Sequence, residues 1–152
     1  MFRAALTLDK TLITDAGLRH LRTLRQLEGL SVCLTRVTDA GLAELAGRTE
    51  LRWLSLSGTQ ISNDGLKHLK NLPNLESLYL QETRVTDDGL KHLQGLTSLA
   101  SLSLWKTRVT DAGLRTLSRM TGLKNLNVHG TQTTEAGVAA LQRARPGLKI
   151  ER

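Results

Sequence analysis

The sequence predicts an α/β solenoid of about six stacked repeats, and three observations carry that prediction. Threonines stand at positions 11, 35, 59, 83, 107 and 131, a spacing of 24 residues without a single insertion. Each opens a near-identical phrase: TLITDAGL, TRVTDAGL, TQISNDGL, TRVTDDGL, TRVTDAGL and TQTTEAGV. Within a repeat the apolar residues change period, from alternation to steps of three. A fixed period of this size marks an array whose units stack on one another.

The repeat running from Leu75 to Leu96 shows each element in order. Leu78 and Leu80 alternate with Ser77, Tyr79 and Gln81, the pattern of a strand with one face buried. Thr86 follows where a helix starts. Its hydroxyl is placed to accept from an unpaired N–H, and Asp87 meets the positive end of the helix dipole. Leu90, Leu93 and Leu96 then line one stripe of a short α or 3₁₀ segment. Gly17, Gly41, Gly65, Gly89, Gly113 and Gly137 recur inside that segment although glycine is a poor helix former. Their recurrence calls for either a special dihedral or a close approach to the neighbouring coil. One such unit cannot bury its own leucines, whereas stacked copies cover each other.

The pattern LxxLxLxxT at this period resembles the leucine-rich repeat family, and the likeness covers essentially the whole chain. It implies a horseshoe with a parallel β-sheet on the concave face and short α or 3₁₀ helices on the convex face. The x-[VI]-[ST]-D-x-G-L segment is most similar to repeats of bacterial leucine-rich repeat proteins and of the substrate-binding half of F-box adaptors. One departure is plain. Where the family places Asn or Cys after the strand, this chain has Thr11, Thr35, Thr59, Thr83, Thr107 and Thr131, which bond fewer groups. The expected organisation is one domain over 1–152, with repeats near 1–26, 27–50, 51–74, 75–98, 99–122 and 123–146 and a C-terminal cap at 147–152.

Both ends are irregular. Thr133 and Ala144 replace apolar repeat residues, and a short strand over Gly147–Ile150 follows Pro146, as expected of a cap. The first strand, Ala5–Asp9, starts almost at Met1 with no helix or hairpin over its edge. Either the chain is part of a longer protein, or another copy covers that edge by edge-to-edge association, or the short edge is tolerated. Arg48 stands where Leu24, Leu72 and Leu96 stand elsewhere, so it snorkels or marks a bulge.

Composition narrows the function classes. The aromatics are only Phe2, Trp53, Tyr79 and Trp105, so leucine fills the core. Cys33 is alone, which excludes an intrachain disulfide and favours a reducing compartment. The opening MFRAALTLDKTLITDAG lacks the apolar run and cleavage site of a signal peptide, and no apolar stretch is long enough to span a membrane, so a cytoplasmic location is expected. The net charge of +7 raises the question of nucleic acid. Most of the basic residues fall in the helical half, and Arg36, Arg84 and Arg108 follow the strands. They occupy surfaces different from the aromatics, which argues against a nucleic-acid groove.

In the repeat frame Trp53, Tyr79 and Trp105 all lie on the concave face, and each advances by two strand positions per strand. With strands about 4.8 Å apart and a rise of about 3.3 Å per residue, each step is a diagonal of roughly 8 Å. The rings therefore form an oblique ridge, with Gln81, Asn127 and His129 among its polar neighbours and His129 beside Trp105. Exposed Trp and Tyr on a bed of Ser suit an interface anchor, although rings could also merely fill the hollow of a curved sheet. The ladder of Asp15, Asp39, Asn63, Asp87, Asp111 and Glu135 reads as helix capping, not calcium. His68 and His92 lack the further ligands of a metal site, and His129 with Ser103 lacks an orienting carboxylate.

No catalytic residue, metal or cofactor is therefore assigned. The expected function is non-enzymatic binding of a protein or peptide on the concave face. The alternatives are the substrate-recognition part of a ubiquitin-ligase adaptor, a basic surface for nucleic acid or an acidic partner, and a structural spacer within a larger repeat protein.

Overall fold

A computed structural model describes residues 4–152; Met1–Arg3, and with them Phe2, lie outside the described residues. Seven parallel strands form one sheet in chain order: β1 (Ala5–Thr7), β2 (Gly29–Ser31), β3 (Trp53–Ser55), β4 (Ser77–Tyr79), β5 (Ser101–Ser103), β6 (Asn125–Asn127) and β7 (Lys149–Glu151). The register advances by the repeat length at every step, so Leu30, Leu54, Leu78 and Leu102 stand in one row. Each strand returns through a convex segment that starts with a turn of α-helix: α1 (Asp15–Leu18), α2 (Asp39–Leu42), α3 (Asn63–Leu66), α4 (Asp87–Leu90), α5 (Asp111–Leu117) and α6 (Glu135–Ala144). The core lies between the two layers and is almost wholly leucine.

Both α and 3₁₀ turns are present on the convex side. In the first four repeats the α turn passes into a 3₁₀ segment, such as Ala43–Leu45 or Lys91–Leu93. Three residues per turn eclipse positions three apart, which places Leu90 and Leu93 one above the other facing the sheet. The expected stripe ends sooner than its spacing implied. Leu96 lies beyond the helix in the return turn, where its N–H donates to the Leu93 carbonyl at 2.9 Å.

The strands are shorter than expected, because β1 ends at Thr7 instead of Asp9 and β7 spans Lys149–Glu151 instead of starting at Gly147. Ladder bonds continue past the strand ends, with Leu8 N–H on the Ser31 carbonyl and Lys10 N–H on the Cys33 carbonyl, both at 2.8 Å. A left-handed residue then turns the chain. Lys10, Leu34, Glu82 and Lys106 have φ of 54° to 56°, and Gly58 and Gly130 take the same position at 67°. The next residue is the repeating threonine. Its hydroxyl donates to the carbonyl three residues back, as from Thr35 to Val32 and from Thr83 to Leu80, both at 2.7 Å. The threonines thus close their own turn locally.

The helix-start residues do more than cap. Ser62, Thr110 and Thr134 accept from a local N–H as expected, but Thr38 and Thr86 do not. What they share is a bond to the previous repeat. Asp15 accepts from the Thr38 N–H at 2.8 Å and its hydroxyl at 2.7 Å; Asp87 accepts from the Thr110 N–H at 2.8 Å and its hydroxyl at 2.6 Å. At the third repeat Asn63 takes the N–H of Thr86 and donates its own amide to the hydroxyl, at 2.9 and 2.8 Å. The acidic ladder is therefore an inter-repeat clasp. It also answers the glycine question in favour of close approach, because a Cβ at Gly89 would fall 2.5 Å from Asn63 Oδ1 and one at Gly113 would fall 2.5 Å from Asp87 Oδ1.

The clasp has a pH signature at Asp111. Bonds from the Thr134 hydroxyl first and the Thr134 N–H second hold its carboxyl below the usual value of 3.8. A depressed carboxylate contributes stability that is present above the unfolded pKa and lost as pH falls through the lower folded pKa. Urea unfolding across the acid range should therefore give Asp111→Asn a shallower acid loss than the native chain. At neutral pH Asp111→Ala should be the less stable of the two, since Asn63 shows that an amide fits the clasp. Equal acid limbs in the native chain and Asp111→Asn would refute this role.

At the C-terminal end Arg145 spans three carbonyls about one coil back in the chain, those of Met120, Thr121 and Leu123, at 2.5, 3.0 and 2.9 Å. At the other end one edge of β1 is unpaired among the described residues, and Leu24 is exposed beside it.

Candidate functional site

The sheet face opposite the leucine core carries the odd-numbered strand residues. The register sets Trp53 beside Ser77 and Tyr79 beside Ser55 and Ser103, so the diagonal from Trp53 leads to Tyr79. The two rings meet there edge-on, with centroids 6.2 Å apart and an interplanar angle of 63°. Both are half-buried; the Trp53 ring lies close against Gly29 of β2, and the buried Ser55 and Ser103 flank Tyr79 in register.

The ridge is not continuous. Trp105 takes its expected place on the next diagonal, but its ring lies under the Lys106 ammonium, 4.2 Å from Nζ to centroid, a cation–π contact. Lys106 reaches it because its own backbone is left-handed, and it also pairs with Glu82 at 3.4 Å. Sequence reasoning missed this cover, since the strand period alone does not show where the residue after the strand turns.

The remaining expected residues divide between the two sides of the ridge. Gln81 accepts from the Ser57 hydroxyl at 2.6 Å and ends a polar chain that runs through Ser55, Cys33 and Ser31 to Asp9. The Cys33 thiol sits 2.8 Å from the Ser55 hydroxyl within that chain. On the other side Asn127 donates to Glu151 at 2.7 Å and accepts the His129 N–H at 3.0 Å. His129 is exposed beside Trp105, and no hydrogen bond among the described residues joins it to Ser103. Tyr79, Gln81, Ser103, Asn127 and Glu151 border a shallow hollow of about 290 Å³.

This combination of a one-repeat register, a leucine core, a parallel sheet and a short convex helix in every unit points to one repeat family. A family model for the leucine rich repeat matches residues 49–109. The chain is similar to leucine-rich repeat proteins. Solved leucine-rich repeat structures share the fold over nearly the whole chain. An internalin (inlF) from Listeria monocytogenes aligns with a TM-score of 0.70 at 20% identity, covering 97% of this chain and 47% of that one. The internalin inlC2 of the same organism gives 0.62 at 24% identity, with coverages of 97% and 69%. A leucine-rich repeat protein of Leptospira interrogans gives 0.76 at 20% identity, with coverages of 98% and 37%. The chain thus spans about half the length of the first of these structures. No curated protein sequence matches it.

Elsewhere some of the surface charges pair with each other. Lys67 pairs with Asp64 and Lys91 with Asp88 three residues apart, and Arg52 pairs with Glu76 of the next repeat. The hydrogen bond from Lys91, reinforced by its charge, draws Asp88 below the ordinary carboxylate value, and Lys67 does the same to Asp64. Arg36, Arg84 and Arg108 are exposed and have no ion pair among the described residues. Among the described residues no helix is long and apolar enough to cross a membrane, and no three His, Cys, Asp or Glu side chains gather as metal ligands would.

Proposed function

We propose that this chain is a non-enzymatic recognition module that binds a protein or peptide on the sheet face through Trp53, Tyr79 and Trp105. Gln81, Asn127 and His129 supply the polar surroundings. The observation that carries this reading is the Trp53–Tyr79 pair, two large half-buried rings in edge-on contact on the sheet face. Rigid aromatic rings beside adaptable hydroxyls and amides are the usual composition of a binding hot spot. The match to the leucine rich repeat model supports a protein-interaction module. The single thiol, Cys33, fits the reducing environment of the cytoplasm, which is where we place the interaction.

The test is affinity capture from lysate with the native chain and with Trp53→Ala/Tyr79→Ala, followed by titration of the protein captured. The double variant should weaken binding by about 2 kcal/mol or more, roughly thirtyfold in Kd. Its unfolding midpoint should stay near native, because both rings are only half-buried. A partner held equally by both chains, with affinity falling steeply as salt is added, would move the function to the basic surface.

A further inference from the structure

The array departs from its repeat at Arg48, which stands in the row of Leu24, Leu72, Leu96 and Met120. Its side chain lies back across the first repeat, where one terminal nitrogen donates to the Leu24 carbonyl at 3.2 Å. There it meets Arg22 and Arg25 around an open hollow of about 450 Å³ that is also lined by Glu44, Gly47 and Thr49. Burial first, and the charges of Arg22 and Arg25 next, lower the Arg48 pKa below the usual arginine value, as expected where like charges crowd. Arginine nevertheless keeps its charge at any ordinary pH.

The cations in this hollow are only partly neutralised. Glu44 is the single carboxylate lining it, and Arg22 and Arg19 both approach it, at 2.5 and 3.8 Å. The Arg22 contact runs through Nε and lacks hydrogen-bond alignment, and among the described residues the terminal N–H groups of that guanidinium make no hydrogen bond. The Arg25 side chain has no ion pair or hydrogen bond among the described residues, and the Arg48 side chain has only the Leu24 carbonyl. Three guanidinium groups against one carboxylate leave a net charge of +2 in one concavity.

We propose that this hollow binds a phosphomonoester dianion, at a site separate from the aromatic sheet face. The charge of a phosphomonoester is about −2 at neutral pH, with three acceptor oxygens for guanidinium forks that bind phosphate in two-pronged fashion. A phosphodiester strand fits less well. It spreads one charge per phosphate along a track and needs rings for its bases, whereas these arginines converge on a single hollow and the rings lie on the sheet face.

The experiment is an NMR titration of the full chain with inorganic phosphate at about pH 7.5, where the dianion dominates, against sodium chloride at matched ionic strength. Phosphate should shift the backbone amides of Gly47, Arg48 and Thr49 along a saturating curve. Arg48→Leu, which installs the residue found at the equivalent positions, should weaken binding about tenfold or more. Arg25→Gln should weaken it as well, and its side chain holds nothing else in place. A peptide with one phosphoserine separates the sources. Tighter binding than phosphate at the same amides assigns the hollow to a modified partner, and equal binding assigns it to the free anion. Three outcomes overturn the proposal: shifts that rise linearly as with chloride, shifts unchanged in both variants, or an oligonucleotide that binds these residues more tightly than phosphate does.

Discussion

Leu78→Ala is expected to destabilise the protein by about 3–4 kcal/mol. The side chain is fully buried on β4, the middle strand, and stands in the row of Leu54 and Leu102. Removing it leaves a cavity walled by leucines of two neighbouring repeats, each already packed on its far side. The walls have little room to collapse, so the cost includes the void as well as the lost transfer energy. In a stack whose units touch only their neighbours, a central repeat supports two interfaces and a terminal one supports a single interface. Leu6→Ala on β1, where the side chain is only partly buried, should therefore cost about half as much or less. Urea unfolding of both variants checks the contrast, and equal losses would mean that the leucine rows do not act as one core.

Gly113→Ala is the second large effect, with an expected loss of about 2–3 kcal/mol. On helix propensity alone alanine would gain about 1 kcal/mol. Sterics reverse that sign, because the added Cβ would lie 2.5 Å from Asp87 Oδ1, 2.7 Å from Val109 Cγ1 and 2.9 Å from Leu90 Cδ1. Asp87 cannot withdraw without releasing both bonds to Thr110, so the collision also opens the clasp between two repeats. Gly95→Ala is the control. Its Cβ would meet only the Lys70 carbonyl at 3.9 Å, so it should be close to neutral. A Gly113→Ala protein as stable as the native chain would show that the aspartate is free to move.

What the sequence reveals and what it hides follow from how far apart the interacting residues lie. Leu78 and Leu80 show a buried strand face because burial imposes its period on adjacent residues. The repeat length shows the register because every row repeats it. The reason for Gly113 stays hidden, since the atom that excludes a side chain belongs to Asp87 in the previous repeat. Thr86 reads as a local cap for the same reason: its actual partner, Asn63, is one coil away. On the sheet face, the Trp53–Tyr79 contact follows from strand geometry, whereas the cover over Trp105 depends on a left-handed Lys106 that no period announces. Arg48 is visible as a break in the leucine row, but its meeting with Arg22 and Arg25 appears only when the coils are stacked.

The clasp and the ladder bonds share a further property: each joins a residue to its counterpart about one repeat away, and both run along the stacking direction. A tensile load on the two ends therefore falls on these bonds one layer at a time, like a zipper, instead of shearing all of them together. Each layer that peels off frees one repeat, which when drawn out measures about 80 Å at roughly 3.3–3.6 Å per residue. Under force the molecule behaves as a stepped extensible strap, giving way in equal lengths and able to recoil from whatever stack remains.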